Sequence, residues 1–133
     1  GISQMKRLAR FIDKRTKLVK NYRNLLEFNS KIAPAQVCSI NGSAHHIFPI
    51  RIKFCSGTKS RNEIMRNLKK HGIGSQVHYL PIPAHPYYTE LGFFIGEIPE
   101  AFAYYEEALT IPLFPSLKKR EQQRIISILE KSI

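Results

Sequence analysis

Acidic residues are scarce: ten Asp and Glu stand against 21 Lys and Arg, leaving a formal charge of +11 over 133 residues. Cysteine is scarcer still, with two residues, Cys38 and Cys55. That is too few for a disulfide framework, and the pair reads as free thiols. No apolar run approaches the roughly 18 to 20 residues that cross a bilayer, and the N-terminus has no apolar targeting core before a small-residue cleavage site. Ser/Gly/Gln tracts and internal repeats are missing. These absences argue against a disulfide-stapled secreted scaffold, a helical membrane protein and a disordered chain. They predict a soluble cytoplasmic protein with no membrane partner. The length and a hydrophobic content of 43% suit one folded domain.

Much of the positive charge lies near the start, where Lys6, Arg7, Arg10, Lys14, Arg15, Lys17, Lys20 and Arg23 meet only Asp13 and Glu27. Such a field attracts polyanions. Charge alone does not choose among nucleic acid, an anionic membrane and a phosphorylated small molecule. A domain parted from an acidic partner would show the same imbalance. A nucleic-acid-binding module would also draw on tyrosines that stack on bases, but no recognition-helix, RNP or zinc-finger pattern accompanies them. Nucleic acid is therefore the lesser reading.

Hydrophobic spacing predicts the elements. Ile2, Met5, Leu8/Ala9, Ile12, Val19, Tyr22 and Leu25/Leu26 recur near every 3.6 residues, so residues 2–28 read as one long amphipathic helix. Its pattern is already running at residue 1, as expected of a chain that starts inside a larger protein. Residues 29–43, with Pro34 and the Asn41-Gly42 pair, read as a linker. In residues 46–54, Ile50, Ile52 and Phe54 alternate with Arg51 and Lys53, the signature of a strand with one buried face. Pro49 removes a ladder donor, so the first part of the strand is expected at an edge or a bulge. Ser60 and Glu63 form a capping-box pair ahead of a helix that stops at His71-Gly72. A second strand is expected over residues 75–80, then an irregular loop set by Pro81, Pro83 and Pro86. A helix over residues 99–109, a short apolar segment at 111–114 and a last helix capped by Ser116 follow. The order predicts an α+β fold: a small, mostly antiparallel sheet covered by helices.

Functional side chains concentrate in Gln76-Val-His-Tyr-Leu-Pro81 and His85-Pro-Tyr-Tyr88. Gln76 and His78 share one strand face and Val77 and Tyr79 the other, while the prolines stiffen the loop. That suits ligand recognition. Packing tyrosines and a hydrogen-bonded structural histidine would read the same way. Zinc finds the right residue types in His45, His46, His78, His85, Cys38 and Cys55, but no C-x₂₋₄-C or H-x₃₋₅-H pair, and no metal site is expected. No Walker or Rossmann glycine loop occurs, and no nucleophile-and-base pair sits in an elbow or triad setting. Self-contained catalysis is not expected.

Taken in order, Gly1-Ile-Ser-Gln-Met-Lys-Arg-Leu8, Tyr22-Arg-Asn-Leu-Leu26, His45-His-Ile-Phe-Pro-Ile-Arg-Ile52, Gly72-Ile-Gly-Ser-Gln-Val-His-Tyr-Leu-Pro81, His85-Pro-Tyr-Tyr88 and Leu109-Thr-Ile-Pro-Leu-Phe-Pro115 closely resemble the DegT-type sugar aminotransferases. Within that family the wording is most similar to the enzymes that make UDP-4-amino-4,6-dideoxy-N-acetyl-β-L-altrosamine on the pseudaminic acid route. Pro83-Ala84 departs from the commonest family wording.

The resemblance implies the C-terminal small domain of a fold-type-I enzyme, with residues 1–28 as the linking helix and residues 45–133 as the α+β core. The large domain, with the lysine that holds pyridoxal phosphate (PLP), lies upstream. It implies a UDP-sugar and glutamate as substrates of the full-length, homodimeric enzyme, and substrate contacts from Gln76, Val77, His78 and Tyr79. No cofactor-binding or catalytic residue, and no bound cofactor, is implied for this chain alone. A regulatory domain of the same family that performs no chemistry is a third reading.

Overall fold

In a computed structural model of the chain, residues 1–35, 42–54 and 59–133 are described. Cys38 and Cys55, read above as free thiols, lie outside them. The elements run α1 (Ile2–Met5), α2 (Leu8–Leu26), β1 (Ile32–Pro34), β2 (Phe48–Ile52), α3 (Arg61–Lys70), α4 (Pro86–Glu90), α5 (Pro99–Glu107), β3 (Ala108–Ile111) and α6 (Lys119–Glu130). The three strands form one antiparallel sheet in the order β1-β2-β3. This is the predicted α+β class.

The β2–β3 register pairs Phe48 with Ile111 and Ile50 with Leu109, which sets these four apolar side chains on one sheet face. All are buried, and Leu18, Val19, Tyr22 and Leu26 of α2, Ile64 and Leu68 of α3 and Ile125, Ile126 and Leu129 of α6 complete the core with them. Gln122, fully buried between helices, is satisfied: its amide donates to the Leu18 carbonyl at 2.9 Å and its oxygen accepts from Asn21 at 3.0 Å. The opposite face carries Pro49, Arg51, Ala108 and Thr110 by the same period-2 rule.

The long first helix is interrupted. It breaks at Lys6-Arg7 and ends at Leu26 instead of running through residues 2–28. No residue of α1 is buried, and Ile2 and Met5 are 80% and 66% exposed, so among the described residues no packing holds the first turn in line. At the far end, the Asn29 side-chain oxygen accepts from the backbone N–H groups of Lys31 and Ile32 and turns the chain into β1. That strand lies inside the expected linker.

β2 as a whole is the central strand, but its first part, which Pro49 placed at an edge or a bulge, lies past the end of the β1 ladder on that side. The Pro49 carbonyl accepts from the Ala35 N–H at 3.0 Å, just past the end of β1. The missing proline donor therefore faces the point where β1 stops, and one ladder bond is lost.

The strand expected over residues 75–80 shrinks to a single bridge between Gln76 and Thr110. Extending it would need pairs at positions 112 and 108 of β3. Pro112 has no N–H to give, and the Ala108 carbonyl faces the Arg61 guanidinium at 3.4 Å. The loop that follows is less irregular than expected, since it contains α4 and short 3₁₀ turns at Ile82–Ala84 and Ile95–Glu97.

Arg61 also explains why the helix over residues 99–109 ends at Glu107. Its guanidinium donates to the carbonyls of Tyr105 and Glu106 and lies over the Tyr105 ring at 4.5 Å, closing the C-terminus of α5. Leu109 then belongs to β3. The last helix starts two residues later than a Ser116 cap would place it: Lys118 is the N-cap, and Glu121 accepts from its N–H at 2.6 Å.

The Ser60–Glu63 capping box forms as read, with the Glu63 carboxylate accepting from the Ser60 N–H at 2.8 Å and its hydroxyl at 2.7 Å. These bonds hold the Glu63 carboxyl below its usual range. A depressed carboxyl stabilises the fold above the unfolded value and loses that contribution as pH falls through the folded one. Glu63→Gln is expected to lower the urea midpoint at pH 7, with the penalty shrinking as pH falls from about 4.3, the ordinary Glu value. An equal penalty at pH 7 and pH 3 would show that the carboxylate charge plays no part.

Candidate functional site

The Gln76–Thr110 bridge positions the site. Gln76 N–H donates to the Thr110 carbonyl at 3.2 Å and Thr110 N–H returns a bond to the Gln76 carbonyl at 2.7 Å, pinning residue 76 against β3. Two residues on, His78 Nδ1 lies 2.8 Å from Thr110 Oγ1. The His78–Tyr79 peptide is cis.

Gln76 and His78 open onto one concavity of about 450 Å³, shared with His46, Ser75, Thr110, Pro112 and Phe114 among its lining residues. Thr110 and Ile111 of β3 contribute to its lining, which mixes apolar residues with a handful of polar side chains, the usual composition of a small-molecule cleft. Gln76 is exposed and His78 half-buried, so both can meet a ligand. Gln76 offers an amide that can donate and accept, and His78 a second polar ring atom.

Val77 and Tyr79 are not part of that lining. Val77 is half-buried, whereas Tyr79 is 73% exposed and meets the His78 ring edge-on, with centroids 4.6 Å apart. The structure thus brings together two of the four expected contact residues and sets the other two outside the cleft.

Thr110 and His46 are the residues the motif reading missed. Thr110 is the one polar side chain in an otherwise apolar Ala-Leu-Thr-Ile strand and is 8% exposed. That interruption was a usable signal. In the sequence, His46 stands out only as a residue of metal-ligand type and as part of the family motif. Its neighbour His45 is buried with φ +45°, while His46 is exposed at the cleft. His85 is exposed at the start of α4. Among the described residues no three His, Cys, Asp or Glu side chains stand together as a metal site would require, and no helix is long and apolar enough to cross a membrane.

The cleft does not fit PLP as a covalent site. No lysine lines it, so it offers no amine for a Schiff base. Its donors suit oxygen-rich ligands instead.

Residues 1–130 match the DegT/DnrJ/EryC1/StrS aminotransferase family. A pleiotropic regulatory protein of Geobacillus stearothermophilus is 33% identical over 123 residues, which are 90% of this chain and 31% of that protein. The UDP-4-amino-4,6-dideoxy-N-acetyl-β-L-altrosamine transaminase of Campylobacter jejuni is 29% identical over 137 residues, 98% of this chain and 35% of that enzyme. The PLP form of Spr1654 from Streptococcus pneumoniae, assigned as a sugar aminotransferase, superposes with a TM-score of 0.85 at 31% identity, covering 100% of this chain and 35% of that one. The chain therefore spans about a third of the length of the relatives it matches. Matched along nearly its whole length, with the expected small antiparallel sheet and helical cover in place, the chain belongs to the DegT/DnrJ/EryC1/StrS aminotransferase family.

Proposed function

We propose that this chain is the C-terminal, substrate-covering part of a cytoplasmic, PLP-dependent transaminase that moves an amino group from glutamate to a UDP-4-keto-6-deoxy sugar, in surface-polysaccharide or pseudaminic acid biosynthesis. One observation carries the reading: Gln76 and His78 converge on a single cleft in a chain of an aminotransferase family. The sugar nucleotide has the complementary chemistry, with hydroxyl and phosphate oxygens for these side chains to hold. Val77 and Tyr79 flank His78 outside the lining, and Tyr79, exposed and edge-on to the His78 ring, offers a ring edge and a hydroxyl to a sugar nucleotide that extends past the cleft. The basic residues of α2 help to gather the anionic diphosphate.

The cofactor lysine belongs to the enzyme's large domain, and the working unit is a homodimer. The exposed Ile2, Met5 and Leu8 fit a first helix that continues against that large domain. Within this division of labour, the residues of this chain bind and orient the sugar nucleotide and shield it from water. They neither hold the cofactor nor move its protons.

Two measurements test the reading. The complete enzyme, with the large domain joined ahead of Gly1, is expected to transaminate a UDP-4-keto-6-deoxy sugar with glutamate. This chain alone, mixed with PLP and borohydride, is expected to show no specific single adduct by intact mass. A stoichiometric adduct at one lysine would overturn the assignment of cofactor chemistry to the large domain. A second reading, a regulatory protein without transaminase activity, draws on the similarity to the Geobacillus pleiotropic regulatory protein. A complete protein that fails to transaminate any keto sugar would favour it.

A further inference from the structure

The donor balance around His78 carries one step more. Among the described residues, the hydrogen bond of the imidazole is the 2.8 Å contact between Nδ1 and Thr110 Oγ1. Thr110 is buried to 8% exposure, and its backbone N–H and C=O are both spent on Gln76. Its hydroxyl proton needs an acceptor, since a buried O–H without one is costly. If Nδ1 carried the proton and donated, the hydroxyl proton would have no acceptor among the described residues. If the hydroxyl donates, Nδ1 is the bare nitrogen and both groups are satisfied. In a neutral imidazole the proton then resides on Nε2.

We propose that Thr110 is a positioning residue: its hydroxyl donates to Nδ1 and holds His78 in the Nε2–H tautomer, so that the ring offers the cleft a donor for phosphate or sugar oxygens. This rests on the reading of the cleft as the sugar-nucleotide site. A bare Nε2 would turn a lone pair toward the phosphate oxygens, which only accept, and repel them. Thr110 is well placed for the role, because it is β-branched, stiff at χ1 and held on both sides, by Pro49 across the sheet and by the Gln76 bridge. A histidine on the loop alone would choose its own tautomer. One anchored to β3 does not.

The tautomer can be read without any ligand. In the 133-residue chain labelled with ¹⁵N-histidine, long-range ¹H–¹⁵N spectra identify the protonated nitrogen of each ring, with the His78 signals assigned by their loss in His78→Gln. Wild type and Thr110→Ser are expected to show the Nε2–H pattern at His78. Thr110→Val, which keeps the shape and loses the hydroxyl, is expected to show a mixture of tautomers. An Nδ1–H pattern in wild type, or an unchanged pattern in Thr110→Val, would overturn the proposal. Should Thr110→Val fail to fold, the wild-type tautomer still decides.

In the complete enzyme, Thr110→Val should raise KM for the sugar nucleotide about 3- to 10-fold, the effect of losing part of one hydrogen bond, and Thr110→Ser should restore it. A changed tautomer with an unchanged KM would leave the Thr110–His78 link standing and remove the sugar nucleotide from the cleft.

Discussion

Tyr22→Ala is expected to destabilise the chain by about 3–5 kcal/mol, the range for deleting a large buried aromatic side chain. Tyr22 is fully buried and stacks on Phe48 of β2 with centroids 4.9 Å apart and planes 18° from parallel. Its hydroxyl donates to the Pro112 carbonyl at 3.0 Å, beyond the end of β3. One side chain therefore joins α2 to the central strand and to the segment that borders the cleft. Burial also pushes its phenol well above the ordinary tyrosine value, because a phenolate there would be desolvated.

Urea unfolding checks the claim. At a slope of about 2 kcal/mol per M the midpoint should fall by roughly 2 M. Tyr22→Phe keeps the stacked ring and strands the Pro112 carbonyl, so it should cost only about 1 kcal/mol. Equal losses in the two variants would mean that the hydroxyl, and not the ring, ties α2 to the sheet.

In the complete enzyme, His78→Ala is expected to weaken sugar-nucleotide binding by about one to two orders of magnitude, the equivalent of one lost donor at ~1–3 kcal/mol. Cofactor absorbance should stay unchanged, and the glutamate half-reaction should be affected much less, because the cleft that His78 lines holds no lysine for the cofactor. The two half-reactions supply the discrimination. If the variant slowed both equally, or lost cofactor absorbance, His78 would be a structural or cofactor-site residue and the cleft would not be the sugar-nucleotide site.

The local rules that held were those with redundant signals. The α3 start needed only Ser60 and Glu63, two side chains three positions apart, and its stop needed Gly72, which adopts φ +72°. The alternation of Ile50, Arg51 and Ile52 marked β2 for the same reason: a period of 2 has few alternative explanations.

Where two periods fitted one segment, local reading failed. Ala108 and Leu109 continue the apolar face of α5 at helical spacing, yet Leu109 and Ile111 also alternate. Pairing with Ile50 and Phe48 decides for the strand. Pro49 accounts for where the ladder with β1 ends, but that β2 is central is a property of its neighbours, and β1, three residues with Pro34 at its end, gives no pattern of its own. The segment at 75–80 reads locally as a strand, whereas the ladder it would need is closed by Pro112 and Arg61, both outside the segment and distant from it in the chain.

By itself the sequence determined the fold class, the family resemblance, the capping of α3 and the segment in which the functional side chains lie, since each depends on neighbours a few residues apart. Tertiary structure alone decided which of Gln76, Val77, His78 and Tyr79 share a cleft, and that Thr110 joins them. Those outcomes turn on a 2.8 Å contact between residues 32 positions apart, and such a contact exists only once β3 has paired with β2 and the chain at Gln76 has closed against its free edge.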